Sequence, residues 1–416
     1  MGFIPDIPED SPFTPNNIPF GVISTADKPE TRCATAIGDY AVDLRLLSEQ
    51  GFFKEKWTAE ALAQASTTSL LSNLSAFAGL PRLDRTDARR AIINGLKSGS
   101  ILESCLIPLK EVTMHLPLPI RGFTDFFTSL EHCQNCSPMT NGNIAKNFFL
   151  TPSAYNGRAA SVRPSPHQVR RPEGVFWNAE NDQAIFDASH LLDFELEMGY
   201  IVAKEIPYGE KLAIDNAPEH IFGFVLLNDW SSRDIQRFEM APLGPFNSKA
   251  FATTISPWVI TLDALDPFAC GSTHEHHPFD HLRFNDPNHS TFDIKLAARL
   301  IREGRTYPIC TSNLKYLYWT PYQQITHQAS SRSGLQTGDL IGTGTISGSG
   351  TDETGKKFEL GCLFEAVQQP NRLEFGSGQG LFLKDGDELV LTGWCEDKNG
   401  KQVLGFGECK GKILPC

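Results

Sequence analysis

The sequence has no apolar run long enough to cross a bilayer. The longest, at about residues 222–227, falls far short of the ~18–20 residues a spanning helix needs, which excludes a helical membrane protein. An excess of positive charge is also missing. There are 37 Lys and Arg against 49 Asp and Glu, a net charge of −12, so neither nucleic acid nor an anionic membrane is an expected partner. There is no internal repeat, no low-complexity tract and no sustained heptad pattern, which removes collagen-like and coiled-coil architectures. The first 21 residues are acidic and proline-rich and lack the basic start and apolar stretch of a secretory signal. Asp6 stands where a myristoylation signal after Gly2 would carry Ser or Thr, and the final Leu414-Pro-Cys matches no retention or peroxisomal address. A cytoplasmic protein is expected.

Cysteine is modest in number and irregular in spacing, with 10 in the chain. Only Cys133 and Cys136 form a C-x-x-C. A zinc knuckle needs a second pair and a redox motif needs a thioredoxin-like context, and neither is evident, so reduced, core-filling thiols are expected. No G-x-S-x-G is present, which leaves an α/β-hydrolase nucleophile unsupported. Residues 342–348 are glycine-rich and follow a strand, but no helix follows them, so they read as a turn rather than a phosphate loop. The histidines of residues 273–281 lie in a Pro/Asp/Asn-rich stretch without an element to fix ligand geometry, and a solvated loop is expected there.

What is present is a globular composition, 40% hydrophobic and 21% charged over 416 residues, enough for one large or two ordinary domains. Residues 1–117 read as a separate region. It has short strands near 20–25, 33–37 and 40–43, then helices near 58–77 and 86–96, the second N-capped by Thr86. The extended, proline-punctuated stretch 114–119 marks entry to a second domain, residues 118–416. From residue 120 onward strands dominate, near 192–202, 222–227, 254–262, 292–300, 340–346, 357–363 and 388–393. Helices are expected near 232–240 and 312–330. The fold class is mainly β (α+β), not a doubly wound parallel sheet.

The sharpest chemical signal is Leu192-Asp-Phe-Glu-Leu-Glu-Met198. Alternation along a strand puts Glu195 and Glu197 on one face, ~6–7 Å apart. Two such carboxylates repel unless a cation lies between them, and a divalent metal is the simplest one. The competing reading is a solvated polar face, and Asp193 on the same side favours it. A second signal is the buried run 222–227 leading into Asn228-Asp-Trp-Ser-Ser-Arg-Asp-Ile-Gln236, which aims Asp229 from a strand end. It also places Arg233 and Gln236 three apart on one helix face, where both could steady an oxyanion. Asp125 and His132, within Phe123-Thr-Asp-Phe-Phe-Thr-Ser-Leu-Glu-His132, supply a further carboxylate and a candidate base. Lys249 and Thr253 flank a short apolar segment, and Lys249 could set a positive charge beside the carboxylates.

Together these runs resemble the fumarylacetoacetate hydrolase family. The matching stretches also include Tyr155-Asn-Gly-Arg-Ala, Leu243-Gly-Pro-Phe, Thr253-Thr-Ile-Ser-Pro-Trp and Gly344-Thr-Ile-Ser-Gly, and the likeness spans nearly the whole chain in one order. The resemblance implies an N-terminal SH3-like barrel, a C-terminal β-sandwich roll and a homodimer. It implies metal-dependent hydrolysis of a carbon–carbon bond in a 1,3-diketone acid. Asp125, Glu195, Glu197 and Asp229 would hold a divalent cation, with Lys249 and Thr253 supporting the metal site. His132 and Glu359 would form the general-base pair, and Arg233, Gln236 and Lys249 would stabilise oxyanions. An all-oxygen ligand set suits Mg²⁺ or Ca²⁺, which as a Lewis acid can chelate a β-diketone enolate.

Several substrate positions depart from the family pattern. The family carries tyrosine where this chain has Phe127, arginine where it has Asn141, and tyrosine where it has Met240, whereas Tyr155 and Thr345 are kept. Losing an arginine that pairs a buried carboxylate costs ~2–5 kcal/mol of binding. The expectation is an intact reaction centre with an altered pocket, acting on a less anionic or bulkier 1,3-dicarbonyl compound. The alternatives are a metal-dependent decarboxylase or tautomerase working through the same enolate, and a catalytically silent dimer.

Overall fold

The structure is a computed structural model that describes residues 6–63, 73–137, 143–367 and 380–416. The N-terminal region forms a five-stranded sheet in the order Leu106–Pro108, Tyr40–Asp43, Arg32–Ile37, Phe20–Thr25, Val112–His115, every neighbouring pair antiparallel. Strands Phe20–Thr25 and Arg32–Ile37 are buried along their whole length, so both faces of this sheet are covered. The long helix is Arg82–Ser98, which starts four residues before the expected cap at Thr86. Pro81 precedes its first turn with a φ of −50°, and Gly99 closes it in the left-handed region at φ 65°, the usual division of labour between proline and glycine. The helix expected over 58–77 is described only as Lys56–Ala63 and Ser75–Ala78. Residues 64–72 between them lie outside the described residues.

An eight-stranded mixed sheet is the centre of the molecule. Its main path runs Ser153–Asn156, Phe123–Phe127, Leu340–Gly342, Leu196–Val202, Ile221–Asp229, Thr253–Ile255, Val162–Pro164, and Ile260–Thr261 pairs with Ile221–Asp229 as well. The continuous apolar run of residues 222–227 follows from burial on both faces. From residue 224 onward, Phe224 and Leu226 point into one core, and Val225 and Leu227 into another. The first core lies against a second five-stranded sheet, ordered Arg305–Asn313, Lys295–Arg302, Glu388–Glu396, Gln402–Leu414, His167–Arg170, through Leu296, Leu300, Leu391 and Phe406. The second core joins the central sheet to the N-terminal region, where Phe222, Val225 and Leu340 pack with Phe20, Val22 and Phe77. The second core therefore spans both halves of the chain. The architecture is mainly β with helices mixed in, its sheets stacked around the central one.

Several expected elements change character, the strand of residues 254–262 splitting into Thr253–Ile255 and Ile260–Thr261 and that of 292–300 into Thr291–Phe292 and Lys295–Arg302. The strand of residues 192–202 is split into Leu192–Asp193 and Leu196–Val202. No strand forms over 357–363, and the chain instead enters the short helix Leu363–Val367. The helix expected over 312–330 is Pro321–Ser330, started by a capping box between Thr320 and Gln323, while residues 312–313 end the strand Arg305–Asn313. Among the described residues no helix is long and apolar enough to cross a membrane.

Candidate active site

Three strands of the central sheet and one opening in its ladder build the site. Asp125 sits in the middle of Phe123–Phe127, in register with Gly342 on one side and Tyr155 on the other. Glu197 is the second residue of Leu196–Val202. Asp229 ends Ile221–Asp229, opposite Thr253. Glu195 lies at the opening. Asp193 pairs with Ser231 and Leu196 with Asn228, so the register is the same on both sides, yet the intervening Phe194 and Glu195 belong to neither strand. The Glu195 N–H donates instead to the side-chain carbonyl of Asn228 at 3.1 Å. One oxygen from each of Asp125, Glu195, Glu197 and Asp229 lies within 4.8 Å of the others. Gly342, on the strand between those of Asp125 and Glu197, leaves room for this convergence. A Cβ there would stand 2.5 Å from Asp125 Oδ1 and 3.1 Å from Glu197 Oε2.

This is not a solvated acidic face. All four carboxylates are at most 5% exposed. Arg233 Nη1 reaches Glu195 Oε1 at 2.9 Å, and Lys249 Nζ bonds the other Glu195 oxygen. Burial would raise the Glu195 carboxyl, but Lys249 and then Arg233 hold it down at about 2. Asp229 Oδ2 accepts from Lys249 Nζ at 3.0 Å and from the Tyr155 hydroxyl at 2.5 Å, and its Oδ1 accepts from Thr253 Oγ1 at 3.1 Å. Asp125 Oδ1 and Glu197 Oε1 are buried without any hydrogen-bond partner. Burial pushes both acids well above the usual carboxylate range, and the neighbouring negative charges add to it. Two orphaned oxygens, four carboxylates and no sulfur or nitrogen donor form a set that could hold a hard divalent cation. Lys249 does not belong among the ligands. Burial alone would depress its pKa, but Asp229 and Glu195 raise it, so it stays an ammonium that neutralises carboxylates and offers no lone pair. Thr253 acts on Asp229 alone among the four.

His132 lies on the helix Leu130–Cys136, whose N-terminus is capped by Ser129 accepting from the His132 N–H at 3.3 Å. Its Nδ1 stands 2.8 Å from Glu365 Oε1. The expected partner was Glu359, and that pairing is corrected. The Glu359 carboxylate accepts from the Gly350 N–H at 2.6 Å and from the Tyr316 hydroxyl at 3.0 Å. The reason is the helix that replaces the expected strand. Asp193, fully buried, accepts from the N–H groups of Leu363 and Phe364 at 2.8 and 3.0 Å, which fixes the first turn of Leu363–Val367 and delivers Glu365 to the imidazole. Glu365 also accepts from Ser347 Oγ at 2.8 Å and Asn135 Nδ2 at 2.6 Å. Burial would pull the His132 pKa down, but the Glu365 carboxylate overrides it and lifts the ring to about 10, while His132 in turn lowers Glu365.

Asp193 has a second task. It accepts from Arg233 Nε at 2.8 Å, and Arg233 Nη1 donates to Gln236 Oε1 at 3.0 Å, as the three-residue spacing suggested. Arg233 Nη2 remains buried and unpartnered. Of the expected substrate positions, Phe127 is 38% exposed with its ring 5.4 Å from that of His132, and Met240 is 46% exposed at the end of helix Arg233–Glu239. Thr345 is buried, and Asn141 lies outside the described residues. The histidine-rich stretch 273–281 belongs to no metal-holding group among the described residues. Sequence reasoning missed Glu365, Ser347, Asn135 and Gly342. Only Asp193, flanking the paired glutamates, carried a visible signal, and it was read as evidence for solvent.

Comparison with known proteins gives one answer along the whole chain. The family model "Fumarylacetoacetase N-terminal" matches residues 16–117, and "Fumarylacetoacetate (FAA) hydrolase C-terminal" matches residues 122–413. Fumarylacetoacetases from Bos taurus and Homo sapiens are each 39% identical over 431 and 430 residues, covering 100% of this chain and 99% of theirs. The fumarylacetoacetase of Oryza sativa is 37% identical over 423 residues, 97% of this chain and 95% of its own. Among solved structures, a fumarylacetoacetate hydrolase from Exiguobacterium antarcticum aligns with a TM-score of 0.52 at 15% identity, covering 96% of this chain and 100% of its own. A maleylpyruvate hydrolase from Sphingobium sp. SYK-6 aligns with a TM-score of 0.52 at 16% identity and the same coverage. These distant structures share the fold.

Proposed function

The chain belongs to the fumarylacetoacetate hydrolase family, and from that membership and the site's geometry we propose that it hydrolyses a carbon–carbon bond of fumarylacetoacetate, giving fumarate and acetoacetate. The observation that carries the metal half of this reading is the pair of orphaned oxygens, Asp125 Oδ1 and Glu197 Oε1, inside a buried four-carboxylate cluster. Asp125, Glu195, Glu197 and Asp229 would hold Mg²⁺ or Ca²⁺. When bound, such an ion supplies Lewis-acid polarisation of a β-diketone's oxygens and balances the buried negative charge.

The remaining chemistry belongs to the chain's own residues. Glu365 is acceptor-only when ionised, so the proton between it and His132 stays on Nδ1; the raised pKa keeps the resting ring protonated, and the form that takes a proton from water is the one deprotonated at Nε2, whose share grows as pH rises toward about 10. The water oxygen adds to a substrate carbonyl. Arg233 is locked by Asp193, Glu195 and Gln236 and keeps Nη2 free for the resulting oxyanion. The carbon–carbon bond then breaks, and the proton held by the imidazolium passes to the departing carbon. Atoms balance with one water consumed and no covalent nucleophile. The His132–Glu365 pair supports water activation over decarboxylation or tautomerisation, neither of which consumes water.

The reading extends to architecture. The five-stranded N-terminal sheet is proposed as an SH3-like barrel domain over residues 1–117, and residues 118–416 as a β-sandwich roll. A homodimer is proposed too, with no nucleic-acid partner. The hairpin Glu173–Asn178 with Gln183–Ala188 supports it, because Val175 and Phe186 are cross-strand partners and Trp177 shares their face, all exposed at 41%, 69% and 55%. Turnover of fumarylacetoacetate, followed by loss of its absorbance in Mg²⁺ or Ca²⁺ and again after chelation, tests the function. Full activity after complete chelation would remove the metal role.

A further inference from the structure

We propose that the side chains around His132 form a second metal site, separate from the carboxylate cluster and suited to Zn²⁺, whose occupation disables the His132–Glu365 pair. One ligand atom from each of His132, Cys362 and Glu365 lies within 4.8 Å of the others. Cys136 completes the set, its Sγ 3.8 Å from His132 Nδ1 and 3.9 Å from Nε2, and burial and then the neighbouring Cys136 thiol push the Cys362 thiol up. Tetrahedral zinc, with Zn–S near ~2.3 Å and Zn–N or Zn–O near ~2.0–2.2 Å, needs edges of roughly 3.4 Å between N and O and roughly 3.6 Å between S and N or O. The corresponding edges here are 2.8 Å for His132 Nδ1 to Glu365 Oε1, 3.5 Å for Cys362 Sγ to Glu365 Oε1, and 3.8 Å for Cys136 Sγ to His132 Nδ1. Of these three, only the first must open, by roughly half an ångström, and that opening breaks the hydrogen bond which orients the imidazole.

The chemistry separates the two sites. Four carboxylates select a hard ion, whereas two thiolates with imidazole select zinc. Binding is a simple exchange without redox. Two S–H bonds and the Nδ1–H bond are lost, three metal–ligand bonds form in their place, the Glu365 oxygen adds a fourth, and the protons pass to solvent. Two thiolates and a carboxylate around Zn²⁺ leave one net negative charge, and Arg233, whose guanidinium interacts with both Cys362 and Cys136, lies nearby to balance it. Cys136 is half-buried while Cys362, His132 and Glu365 are buried, so the ion enters past Cys136. Cys133, the other half of the C-x-x-C, packs against the separate cluster of Phe148 and Tyr318 and takes no part.

The inhibitory part of this proposal rests on the hydrolase reading, and the spectroscopic part does not. Full-length protein in saturating Mg²⁺ is titrated with Co²⁺ as a probe for zinc. The expected result is a thiolate-to-cobalt charge-transfer band that saturates at one ion per chain and is lost in Cys362→Ser and in the half-buried Cys136→Ser. Zinc should inhibit fumarylacetoacetate hydrolysis. Its half-inhibiting concentration should rise at least ~10–100-fold in either variant, the loss that follows even from removing an outer partner of a ligand. Absence of a thiolate band in the wild type, or a band and inhibition that persist in both variants, overturns the site. A cobalt band that forms in a protein unable to cleave fumarylacetoacetate would overturn the hydrolase reading and leave the second site standing.

Discussion

Gly342→Ala is the sharpest single perturbation of the carboxylate cluster. Gly342 lies on the strand between those of Asp125 and Glu197, and its backbone is not among those with positive φ, so alanine meets no conformational objection there. The methyl group itself is the whole perturbation. It would stand 2.5 Å from Asp125 Oδ1, whereas ordinary contact begins at 3.4 Å, so the carboxylate must retreat by about 0.9 Å, and Glu197 Oε2 at 3.1 Å must give by about 0.3 Å. Functional metal ligands hold their distances to about ±0.2 Å, so the displaced carboxylate no longer serves. The expected loss in Mg²⁺ or Ca²⁺ affinity is at least ~10–100-fold, or about 1.4–2.8 kcal/mol. The ion-free protein should stay folded, because the same movement relieves repulsion among buried acids, and overpacking costs only ~1–3 kcal/mol. Isothermal titration of ion into chelator-treated protein reads the affinity, and circular dichroism with thermal melting reads the fold. A folded variant that binds the ion within about twofold of wild type would refute the placement of Asp125 and Glu197 as joint ligands.

The proposed base pair, His132 with Glu365, predicts a contrast between two glutamates. Glu365→Gln should lower kcat by ~10²–10⁴-fold, whereas Glu359→Gln should leave it within a few-fold, and equal losses from both would return Glu359 to the role. The same pair predicts a pH dependence of stability. His132 is raised to about 10 from an ordinary 6.5, so its contribution is whole below about 6.5 and fades as pH rises through about 10. Glu365 is depressed, so its contribution is whole above about 4.5 and fades as pH falls. The stability difference between wild type and Glu365→Gln, measured by denaturant titration, should therefore peak at about 3–5 kcal/mol between pH about 4.5 and 6.5 and shrink on either side. A difference that grows toward pH 10 would contradict the assignment. Trp177→Asp combined with Phe186→Asp should shift a dimer to monomer in analytical ultracentrifugation without lowering the melting temperature of the monomer, and an unchanged sedimentation coefficient would sink the interface.

Much of the acidic centre was legible because strand periodicity is a strong signal. Glu195 and Glu197 were read as same-face neighbours, and Asp229 as a carboxylate aimed from a strand end. All three stand together in the structure. What the pattern could not convey was burial. Alternating acidic and apolar residues ordinarily mark a half-solvated strand, but here Asp193, Glu195 and Glu197 are each at most 5% exposed, because other elements cover the polar face and supply Arg233, Lys249 and backbone N–H donors. The break at Phe194–Glu195 was invisible for a related reason. Its register resumes unchanged beyond the gap, so nothing in the local sequence marks it. Glu359 is implied by the family resemblance alone, and the strand expected around it, at residues 357–363, is outweighed by a tertiary contact, Asp193 capping the turn at Leu363 from 170 residues away.

That contact also ties the two chemical units of the site together. Asp193 holds Arg233, the group proposed to meet the oxyanion, with one oxygen, and its two oxygens together fix the helix that delivers Glu365 to His132. The carboxylate cluster, the His132–Glu365 pair and Arg233 are thus held by one buried framework. Phe127 and Met240, which the sequence resemblance marks as departures from the family pattern, instead lie at an element's end, the last residue of a strand and the cap of a helix, each more than a third exposed. If these positions meet the substrate as proposed, substitution there changes that contact without moving any hydrogen bond of the framework. Phe127 would differ from a tyrosine by a single hydroxyl. The reaction centre and the recognition surface are therefore mechanically separable. A chain that departs from its family at the second is expected to keep the first, and its divergence should register in KM before it registers in kcat.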